Sequence, residues 1–556
     1  MVPRVLPQDH DDLIAGAPKA IAHLRAQLER KRLGLIFGSG VSKDFGFPVW
    51  GRLVDIIARH PDVRGKALVR KLRSPKNPGD KSLASISQVL FGRYRSGQIT
   101  RAASRRVLTF LEEQKVRSDW LRLIHGILYA KVDLSTREKK LRIHEYLPAF
   151  LPLIKQAPMT VNYNFDDTLE QLLLFNRTPE ECLTTRGYET VFKPNVQFQK
   201  DSGVIYHPNG FLPSVFEDGA SPDLVFADDS FQDQLIRVAS GQYIQLSNFL
   251  FRNTCLLIGL SLQDSTLQHL LRQNALSNPG HVHYFIHFVE DIDSYDAGLF
   301  DAIFEANFSA YNLFTLFLDR RGIRLLAELV STHSSVLPIR FPKGKHKFVY
   351  YIIGSIGAGK STATSNLCSL TTYDEWIDPR RADMAVPERE FNRHVIEQIN
   401  LWTAEQFRKK NLGVFQRPGG IHVIDRCPLD PLTFGKAGER TLKARRLYNR
   451  ITSCGRERIQ KGHLILLDAD ITDLKQRISN LHKYWTDDDL QVLLRSIVDV
   501  YSGLKKTVVC TRGRSIEHVT KELTKVIFAG DYQEVDIGKH LRRISRPQRR
   551  RKAKAR

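Results

Sequence analysis

The sequence predicts an α/β protein of two domains, each with a parallel sheet. The first observation is length, because 556 residues exceed what a single hydrophobic core supports. The second is that short apolar runs alternate with helical patterns along most of the chain. The third is that a glycine turn directly follows an apolar run in each half. A hydrophobic fraction of 42% and a charged fraction of 26% are typical of a folded globular protein.

The first half begins with an amphipathic stretch at residues 20–31, then the apolar run Leu33–Phe37 and the turn GSGVS. This order predicts a helix, a buried strand, a turn and a second helix. Residues from about 52 to 146 have a basic helical pattern, which predicts a helical insertion. Further strands are predicted at residues 159–162, 204–206, 254–260 and 283–289.

The second half follows a polar segment, residues 331–347, that contains two prolines and three lysines. We predict that this segment is a linker between a first domain at 1–330 and a second domain at 348–534. Strands are predicted in the second domain at 348–353, 423–425 and 464–468, with helices between them. The remaining residues, 535–556, are predicted to form a basic tail.

The chain is strongly basic, with 83 Lys and Arg against 60 Asp and Glu and a net charge of +23. Nine of these cations lie in residues 542–556, where there is no acidic residue. Such a field attracts polyanions, so nucleic acid or a phage component is a candidate partner of the basic surfaces and tail. A solvated tail without a partner is the alternative.

The cysteine pattern and the N-terminus predict a cytoplasmic protein. Six cysteines are scattered without a CxxC pair, which indicates neither a disulfide framework nor a zinc site. The first residues carry acids where a signal peptide needs an apolar core, and no run of 18 apolar residues occurs. We therefore expect no membrane association, while oligomerisation stays open.

Residues 354–361 (GSIGAGKS) match the phosphate-binding pattern GxxxxGK[ST] after an apolar run. In this pattern the glycines let backbone N–H groups surround phosphate oxygens, the lysine reaches the β- and γ-phosphates, and the hydroxyl holds Mg²⁺. The pattern predicts a site for ATP or another NTP with Mg²⁺. Its predicted ligands are Gly354, Gly357, Gly359, Lys360, Ser361 and Thr362.

An acidic residue and a basic residue stand next to each other in the segment HVIDRCPLDPLTF, which contains the predicted strand 423–425. Asp425 and Arg426 lie at its carboxyl end, where α/β sheets bind ligands. We predict that Asp425 joins Ser361 as a metal-site residue, through the water shell of magnesium, and that Arg426 contacts phosphate. A surface salt bridge between the two is the alternative.

The region of about residues 347–530 resembles the deoxynucleoside and thymidylate kinase group. The resemblance lies in the phosphate-binding segment 354–361 (the P-loop), in Asp425 with Arg426, and in the later segments LILLDADITDLKQRI and HKYW. The resemblance implies an acidic base toward the hydroxyl of the phosphoryl acceptor, placed here at Glu375. Asp374 or Asp378 would serve equally well. It also implies cations near the transferred phosphoryl group, for which Arg477 and Lys483 are the candidates.

Four blocks in the first half resemble sirtuin-type NAD-binding domains, in the order of that family and over about residues 30–275. They are LIFGSGVSKDFGFPVWG, TVNYNFDDTLEQLL, VIYHPNGFLP and LLIGLSLQDSTLQHLL. The resemblance implies a Rossmann-like sirtuin-type fold with a helical insertion, whose small residues let the cofactor pyrophosphate approach a helix N-terminus. The cofactor-binding residues that it implies are Gly38, Ser39, Gly40, Ser42, Gly259, Ser261 and Asp264.

The same resemblance implies catalytic residues. Asn164 would position the nicotinamide ribose, Asp166 would help to hold the nicotinamide, and His207 would act as base or ribose contact. A histidine packed at a strand end without a catalytic role is the alternative. The family often has a histidine directly before the glycine of the third block, where this chain has Asn209.

The zinc-binding cysteines of sirtuin deacetylases are absent from this sequence, which disfavours protein deacylation. The chain then resembles prokaryotic sirtuin-like effectors that cleave NAD⁺ as part of antiphage defence. This implies an NAD⁺ hydrolase under the control of a nucleotide-binding or nucleotide-phosphorylating P-loop domain. The alternatives are a nucleoside or nucleotide kinase with a regulatory NAD- or ADP-ribose-binding domain, and a nucleic-acid-binding assembly protein with a P-loop switch.

Overall fold

The structure is a computed structural model. It describes residues 7–74, 82–101, 108–177, 188–193, 203–216, 219–241, 243–290, 296–381, 392–453, 458–478 and 485–546. Lys483 and the last ten residues of the predicted tail therefore lie outside the described residues.

The first half is built on a sheet of seven strands in the order β3-β4-β2-β1-β5-β6-β7, and the pairings between neighbours are all parallel. Its strands are β1 (Leu33–Phe37), β2 (Thr160–Asn162), β3 (Glu189–Val191), β4 (Val204–Tyr206), β5 (Thr254–Ile258), β6 (His283–Phe288) and β7 (Leu313–Leu318). The predicted α/β class is confirmed. Strands β3 and β7 were not predicted from the apolar runs.

Helices cover the sheet and form the insertion between β1 and β2. In chain order they are α1 (His10–Gly16), α2 (Pro18–Glu29), α3 (Ser39–Ser42), α4 (Trp50–Arg59), α5 (Lys66–Leu72), α6 (Leu83–Arg101), α7 (Phe110–Tyr129), α8 (Arg137–Ile143), α9 (Leu151–Gln156), α10 (Thr168–Phe175), α11 (Asp228–Ala239), α12 (Ile244–Arg252), α13 (Ser265–Ser277), α14 (Ala297–Tyr311), α15 (Arg320–Ser331) and α16 (Leu337–Arg340). Helices α4 to α8 occupy the predicted insertion.

The second half is built on a sheet of five parallel strands in the order β12-β11-β8-β10-β9. Its strands are β8 (Lys347–Ile353), β9 (Thr371–Tyr373), β10 (Gly420–Asp425), β11 (His463–Asp468) and β12 (Thr507–Cys510). Its helices are α17 (Lys360–Asn366), α18 (Arg393–Phe415), α19 (Arg440–Ile451), α20 (Ile471–Ile478), α21 (Asp487–Val500), α22 (Ile516–Phe528) and α23 (Ile537–Ile544). Strands β9 and β12 were not predicted.

The predicted linker and the predicted tail each contain a helix. Helix α16 lies inside the predicted linker, and its Leu337 is buried in the core. Helix α23 lies inside the predicted tail, with Ile537 and Leu541 buried. Apolar residues between the basic ones account for this difference, because they give α23 one face that packs on the domain. The folded part of the chain thus continues past residue 534.

Helix α2 connects the two halves through buried polar contacts. The Lys19 Nζ donates to the carbonyl of Ile527 at 2.6 Å, at the end of α22. The His23 ring lies between the two halves, with Nε2 3.0 Å from the carbonyl oxygen of Ser369 and Nδ1 2.9 Å from the hydroxyl of Tyr284 on β6. Since α2 leads directly into β1, the second domain packs against the element that precedes the first glycine turn.

Within the described ranges, no helix combines the length and apolar character that a membrane crossing requires.

Candidate functional site

The P-loop joins β8 to α17 and is shaped by three glycines with positive φ. Gly354, Gly357 and Gly359 have φ values of +147°, +77° and +90°. A Cβ on Gly354 would lie 2.8 Å from the carbonyl oxygen of Leu467, so this position also lacks room for a side chain. The glycines of the motif are therefore needed for the turn that brings backbone N–H groups around a phosphate.

The Lys360 side chain is folded onto this loop. Its Nζ donates to the carbonyl oxygens of Gly354 at 3.1 Å and Ser355 at 2.7 Å. Burial, together with the nearby charge of Arg426, lowers the pKa of Lys360 to about 8. The ammonium is still mostly protonated at neutral pH, and a phosphate in the loop would offer it a stronger partner than two neutral carbonyls.

Ser361 and Asp425 meet as the sequence predicts for a metal site. The Ser361 Oγ donates to Oδ2 of Asp425 at 2.6 Å. The other carboxylate oxygen of Asp425, Oδ1, is buried and has no hydrogen-bond partner among the described residues. A hydroxyl beside a buried carboxylate oxygen that lacks a partner fits Mg²⁺ with its water shell, because Mg²⁺ prefers oxygen ligands and keeps several waters.

Glu375 and Arg426 form an ion pair at the mouth of the P-loop. The Arg426 Nε donates to Oε1 of Glu375 at 2.7 Å, and its guanidinium lies near the rings of Trp376 and Phe434. Arg426 has a φ of +69°, which turns it away from the line of β10. Burial alone would raise the pKa of Glu375, but the charges of Arg426 and Lys360 outweigh burial, so the pKa is lowered.

The structure separates the three acids considered for the base. Glu375 lines the cavity in front of the P-loop. Asp374 is exposed, and Asp378 pairs with Lys409 on the surface at 2.6 Å. Of these three acids, only Glu375 lines this cavity.

The cavity in front of the P-loop has a volume of about 810 Å³, within the range of ligand pockets. Its walls include the guanidinium-bearing Arg477, which donates to the carbonyl of Thr511 at 3.0 Å. Gly354 and Asp425 lie behind this surface. The predicted residues that line the cavity are Gly357, Gly359, Lys360, Ser361, Thr362, Glu375, Arg426 and Arg477.

Two residues of this site were missed from the sequence. Lys410 on α18 reaches the carbonyls of Glu375 and Asp425, and Asp430 accepts a hydrogen bond from the hydroxyl of Tyr501. Neither belongs to a short motif. The sequence signal that could have singled out Lys410 is its helical spacing from two apolar residues, three positions after Phe407 and four before Val414.

A second, smaller cavity lies at the carboxyl ends of β2, β1 and β5, which are neighbours in the first sheet. Its volume is about 120 Å³. Gly40 lies behind the lining and donates its N–H to the carbonyl of Gly259 at 2.9 Å. The predicted residues that line this cavity are Gly38, Ser39, Ser42, Asn164, Asp166, Gly259, Ser261 and Asp264.

Asn164, Ser42 and Asp166 form one hydrogen-bonded set in this cavity. The Asn164 Nδ2 donates to Oγ of Ser42 at 2.9 Å and to the carbonyl of Gly38 at 3.0 Å. The Ser42 Oγ donates to Oδ1 of Asp166 at 3.0 Å. Burial raises the pKa of Asp166. The glycine turn after β1 is thus tied to both polar residues of the segment after β2.

His207 lies outside the lining of this cavity. Its side chain is fully buried, with Nδ1 2.8 Å from the carbonyl oxygen of Asn164 and Nε2 2.8 Å from Oε1 of Glu170. Burial alone would lower the pKa of His207, but the charge of Glu170 and these hydrogen bonds outweigh it, so the pKa is raised. The imidazole therefore supports the backbone at Asn164 and has no free nitrogen toward the cavity.

Asn209 occupies the position that faces the cavity. Its Nδ2 donates to Oδ2 of Asp264 at 3.1 Å, and its Oδ1 accepts from Nε2 of Gln234 at 3.2 Å. Gln234 is itself held by the hydroxyl of Thr266, which donates to its Oε1 at 2.6 Å. Burial raises the pKa of Asp264, which also caps α13 by accepting from the N–H of Leu267. These contacts fix the orientation of the Asn209 amide.

The family model for the SIR2-like domain matches residues 158–316. This range contains β2 to β6 and most of the smaller cavity, so the chain contains a SIR2-like domain. No curated protein matches the chain.

Solved structures with some similarity to this chain include three kinases. Thymidylate kinase from Candida albicans is 15% identical, with 34% of this chain and 98% of that chain covered and a TM-score of 0.25. Deoxyadenosine kinase from M. mycoides with bound dATP is 12% identical, with 32% and 96% covered and a TM-score of 0.25. Shikimate kinase from Acinetobacter baumannii in complex with shikimate is 14% identical, with 36% and 98% covered and a TM-score of 0.20.

Proposed function

We propose that the chain hydrolyses NAD⁺ to nicotinamide and ADP-ribose in the smaller cavity, and that the P-loop domain controls this reaction by binding a nucleotide. The observation that carries the proposal is the hydrogen-bonded set in which Asn164 and Asp166, both within the SIR2-like domain, contact Ser42 of the glycine turn. It places an amide and a carboxylate beside the glycine turn at the carboxyl edge of the sheet, where α/β proteins bind dinucleotides.

Cleavage of the bond between nicotinamide and ribose needs no proton transfer from the protein before the bond breaks. Nicotinamide leaves NAD⁺ as a neutral molecule, and positive charge develops on the ribose carbon. In its ionised form, which hydrogen bonds from the Ser42 hydroxyl and the Thr168 N–H favour, Asp166 stabilises that charge. Asn164 can orient the ribose or the attacking water with its amide, because Ser42 and Gly38 hold that amide in place.

Asn209 takes the ribose-facing position that an imidazole would otherwise fill. No histidine is among the described residues that line the cavity. The Asn209 amide can still hydrogen-bond a ribose hydroxyl, and Asp264 and Gln234 restrict its rotation. We propose that Asn209 is a substrate contact and that His207 supports Asn164 from behind.

The cavity must widen or be occupied only in part when NAD⁺ binds. Its volume of about 120 Å³ is below the roughly 300–1,000 Å³ of typical ligand pockets. Leu262, with a φ of +53°, lies in the turn after β5 that forms one wall. A change in this wall is therefore a means by which a second ligand could control the reaction.

The packing between the halves gives nucleotide binding a route to this cavity. Helix α17 begins at Lys360 and ends at Asn366. A Cβ at Gly280, just before β6 of the first sheet, would overlap the carbonyl of Asn366. We propose that phosphate binding at Lys360 changes the populations of conformations at this contact and thereby controls NAD⁺ cleavage. In this proposal the protein is a cytoplasmic antiphage effector that depletes NAD⁺ when its trigger is present.

The test is incubation of the purified full-length protein with NAD⁺, with and without a panel of NTPs and dNTPs plus Mg²⁺, followed by mass spectrometry. We expect nicotinamide release that changes with at least one nucleotide. Asn164→Ala should abolish the release, and Lys360→Ala should abolish its response to nucleotide. Release that persists in Asn164→Ala would contradict the site.

Phosphoryl transfer to a nucleoside or nucleotide is the second candidate function. The observation that favours it is the ion pair of Glu375 and Arg426 in the larger cavity, which gives a carboxylate at the mouth of the P-loop. In that case Glu375 accepts the proton of the acceptor hydroxyl, and Mg²⁺ neutralises phosphate charge when bound. ADP formation that needs a particular nucleoside and disappears in Glu375→Gln would support it. ADP formation that no acceptor changes would not.

A further inference from the structure

Lys410 is a buried lysine at the P-loop site to which the roles above assign nothing. It lies on α18 and is 2% exposed. Its Nζ donates to the carbonyl oxygen of Asp425 at 2.7 Å and to the carbonyl oxygen of Glu375 at 2.8 Å. One ammonium group therefore joins the end of β10 to the turn after β9.

The backbone ladder of the sheet does not extend to these two segments, which the side-chain ion pair of Arg426 and Glu375 also joins. The pairing of β10 with β9 ends at Ile424 and Tyr373. Asp425 and Glu375 follow these residues in the chain, beyond the last pair of the ladder. The two hydrogen bonds of Lys410 take the place of the ladder there and fix the separation of the segments.

The two segments carry different halves of the site. Asp425 contacts Ser361 and has the buried carboxylate oxygen without a partner among the described residues. Glu375 is held by Arg426 at the acceptor side of the cavity. Because a main-chain carbonyl moves with its own residue, the two hydrogen bonds of Lys410 set the distance between Asp425, at the metal site, and Glu375, at the acceptor end of the cavity.

The positive charge of Lys410 also helps to balance the carboxylates of the site. Three carboxylates and three cations lie close together at the site, and all of them except Glu375 are buried: Glu375, Asp425, Asp430, Lys360, Lys410 and Arg426. Removing one cation would leave a buried carboxylate uncompensated. The neighbouring Lys409 differs, because it points outward and pairs with Asp378 at the surface.

We propose that Lys410 is a positioning residue of the nucleotide site, which holds the metal-side carboxylate of Asp425 and the acceptor-side carboxylate of Glu375 at a fixed separation. The part of nucleotide affinity that depends on Mg²⁺ then depends on Lys410. The inference rests on the proposed function only in that the P-loop binds a nucleotide.

The test is calorimetric titration of ATP into the full-length protein, once with excess Mg²⁺ and once with EDTA. The ratio of the two affinities measures the Mg²⁺-dependent part. Lys410→Met should lower this ratio about tenfold, as expected when a residue behind a metal site is removed. The affinity in EDTA should change by less than about threefold, because the glycine turn and Lys360 are retained. Lys409→Met is the matched control and should keep the wild-type ratio.

Two further variants separate positioning from a general loss of structure. Lys410→Arg keeps the charge and the donors and should recover part of the ratio. In an Asp425→Asn background, Lys410→Met should lower the ratio no further, because both substitutions then act on the same carboxylate. If Lys410→Met gives no cooperative melt, Lys410→Arg carries the test with a ratio about threefold below wild type.

A wild-type ratio in Lys410→Met, or in Lys410→Arg where that variant carries the test, would overturn the inference. So would equal losses of affinity with Mg²⁺ and with EDTA. A wild-type protein that binds ATP in neither condition would overturn the nucleotide site itself, which is a distinguishable result.

Discussion

The Nε2 of His207 lies 2.8 Å from Oε1 of Glu170, in a part of the first domain where both side chains are buried. This pair takes the histidine of the third sirtuin-like block out of the cavity. Because the pKa of His207 is raised, its protonated form contributes stability below pH 6.5, and this contribution is lost as the pH rises through the folded-state value.

Replacing His207 should cost stability more than chemistry. We expect His207→Gln to lose roughly 2–4 kcal/mol in urea unfolding, because it breaks a buried charged hydrogen bond. Nicotinamide release per folded molecule should stay within about threefold of wild type, since Asn164 keeps its contact with Ser42. A fully folded variant without any release would instead assign the histidine a direct role.

Asn209 should matter for turnover. We expect Asn209→Ala to lower nicotinamide release about tenfold or more, because it removes a polar group that Asp264 and Gln234 hold toward the cavity. Asn278→Ala, which changes an amide of the same domain away from the cavity, serves as the control. Equal activity of the Asn209 variant and the control would exclude Asn209 as a substrate contact.

The P-loop lysine should decide nucleotide affinity. We expect Lys360→Ala to weaken ATP binding about 100-fold in calorimetry, because a charge-assisted contact to phosphate is lost. Lys347→Ala is the control, since its Nζ also donates to a main-chain carbonyl, that of Val414 at 2.9 Å, away from the loop. Undiminished ATP binding by Lys360→Ala would show that these residues do not form a nucleotide site.

The free energy of unfolding should fall in acid because of buried histidines at the contact between the halves. Burial lowers the pKa of His23 to about 3 and that of His281, which follows the interdomain residue Gly280, to about 4. Below pH 6.5 the unfolded chain takes up protons that the folded chain refuses, so stability falls as the pH falls from 6.5 toward 4. We expect a loss of roughly 1.4 kcal/mol per pH unit for each histidine. When the free energy of unfolding is measured in urea between pH 7 and 5, it should change less steeply with pH in His23→Gln than in the wild type. The same pH dependence in both proteins would contradict this account.

Gly280 should couple the two sites. A side chain there would overlap the carbonyl of Asn366, so Gly280→Ala should cost roughly 1–3 kcal/mol and weaken the effect of nucleotide on NAD⁺ cleavage. Gly126→Ala is the control, because a Cβ at Gly126 meets nothing within 4 Å. Thermal melts and release assays with and without ATP measure both effects. A Gly280 variant with wild-type stability and response would show that this contact transmits nothing.

Local patterns predicted the parts of the fold that depend on local chemistry. The strands Leu33–Phe37 and Val204–Tyr206 were predicted with their observed bounds, because each is a short apolar run beside a turn. Strand β9 was missed because its three residues, Thr371–Tyr373, become a strand only through pairing with β10. The helix in the predicted tail was missed because its cations conceal two buried apolar residues.

The candidate sites show the same division. Ser361 and Asp425 were predicted to meet because a P-loop and a strand end occur at one edge of a parallel sheet. The orientation of His207 depends on Glu170, which lies 37 positions away in the chain. Lys410 reaches the site from a helix that carries no motif. Side-chain direction over such distances is set by tertiary packing, and no sequence spacing records it.

The most direct test of the account is the amount of nicotinamide that the purified full-length protein releases from NAD⁺ across a panel of nucleotides with Mg²⁺. We predict release by the wild type, a response to at least one nucleotide that Lys360→Ala lacks, and no release by Asn164→Ala. An absence of nicotinamide release under every condition, from a protein that binds nucleotide at the P-loop, would contradict it.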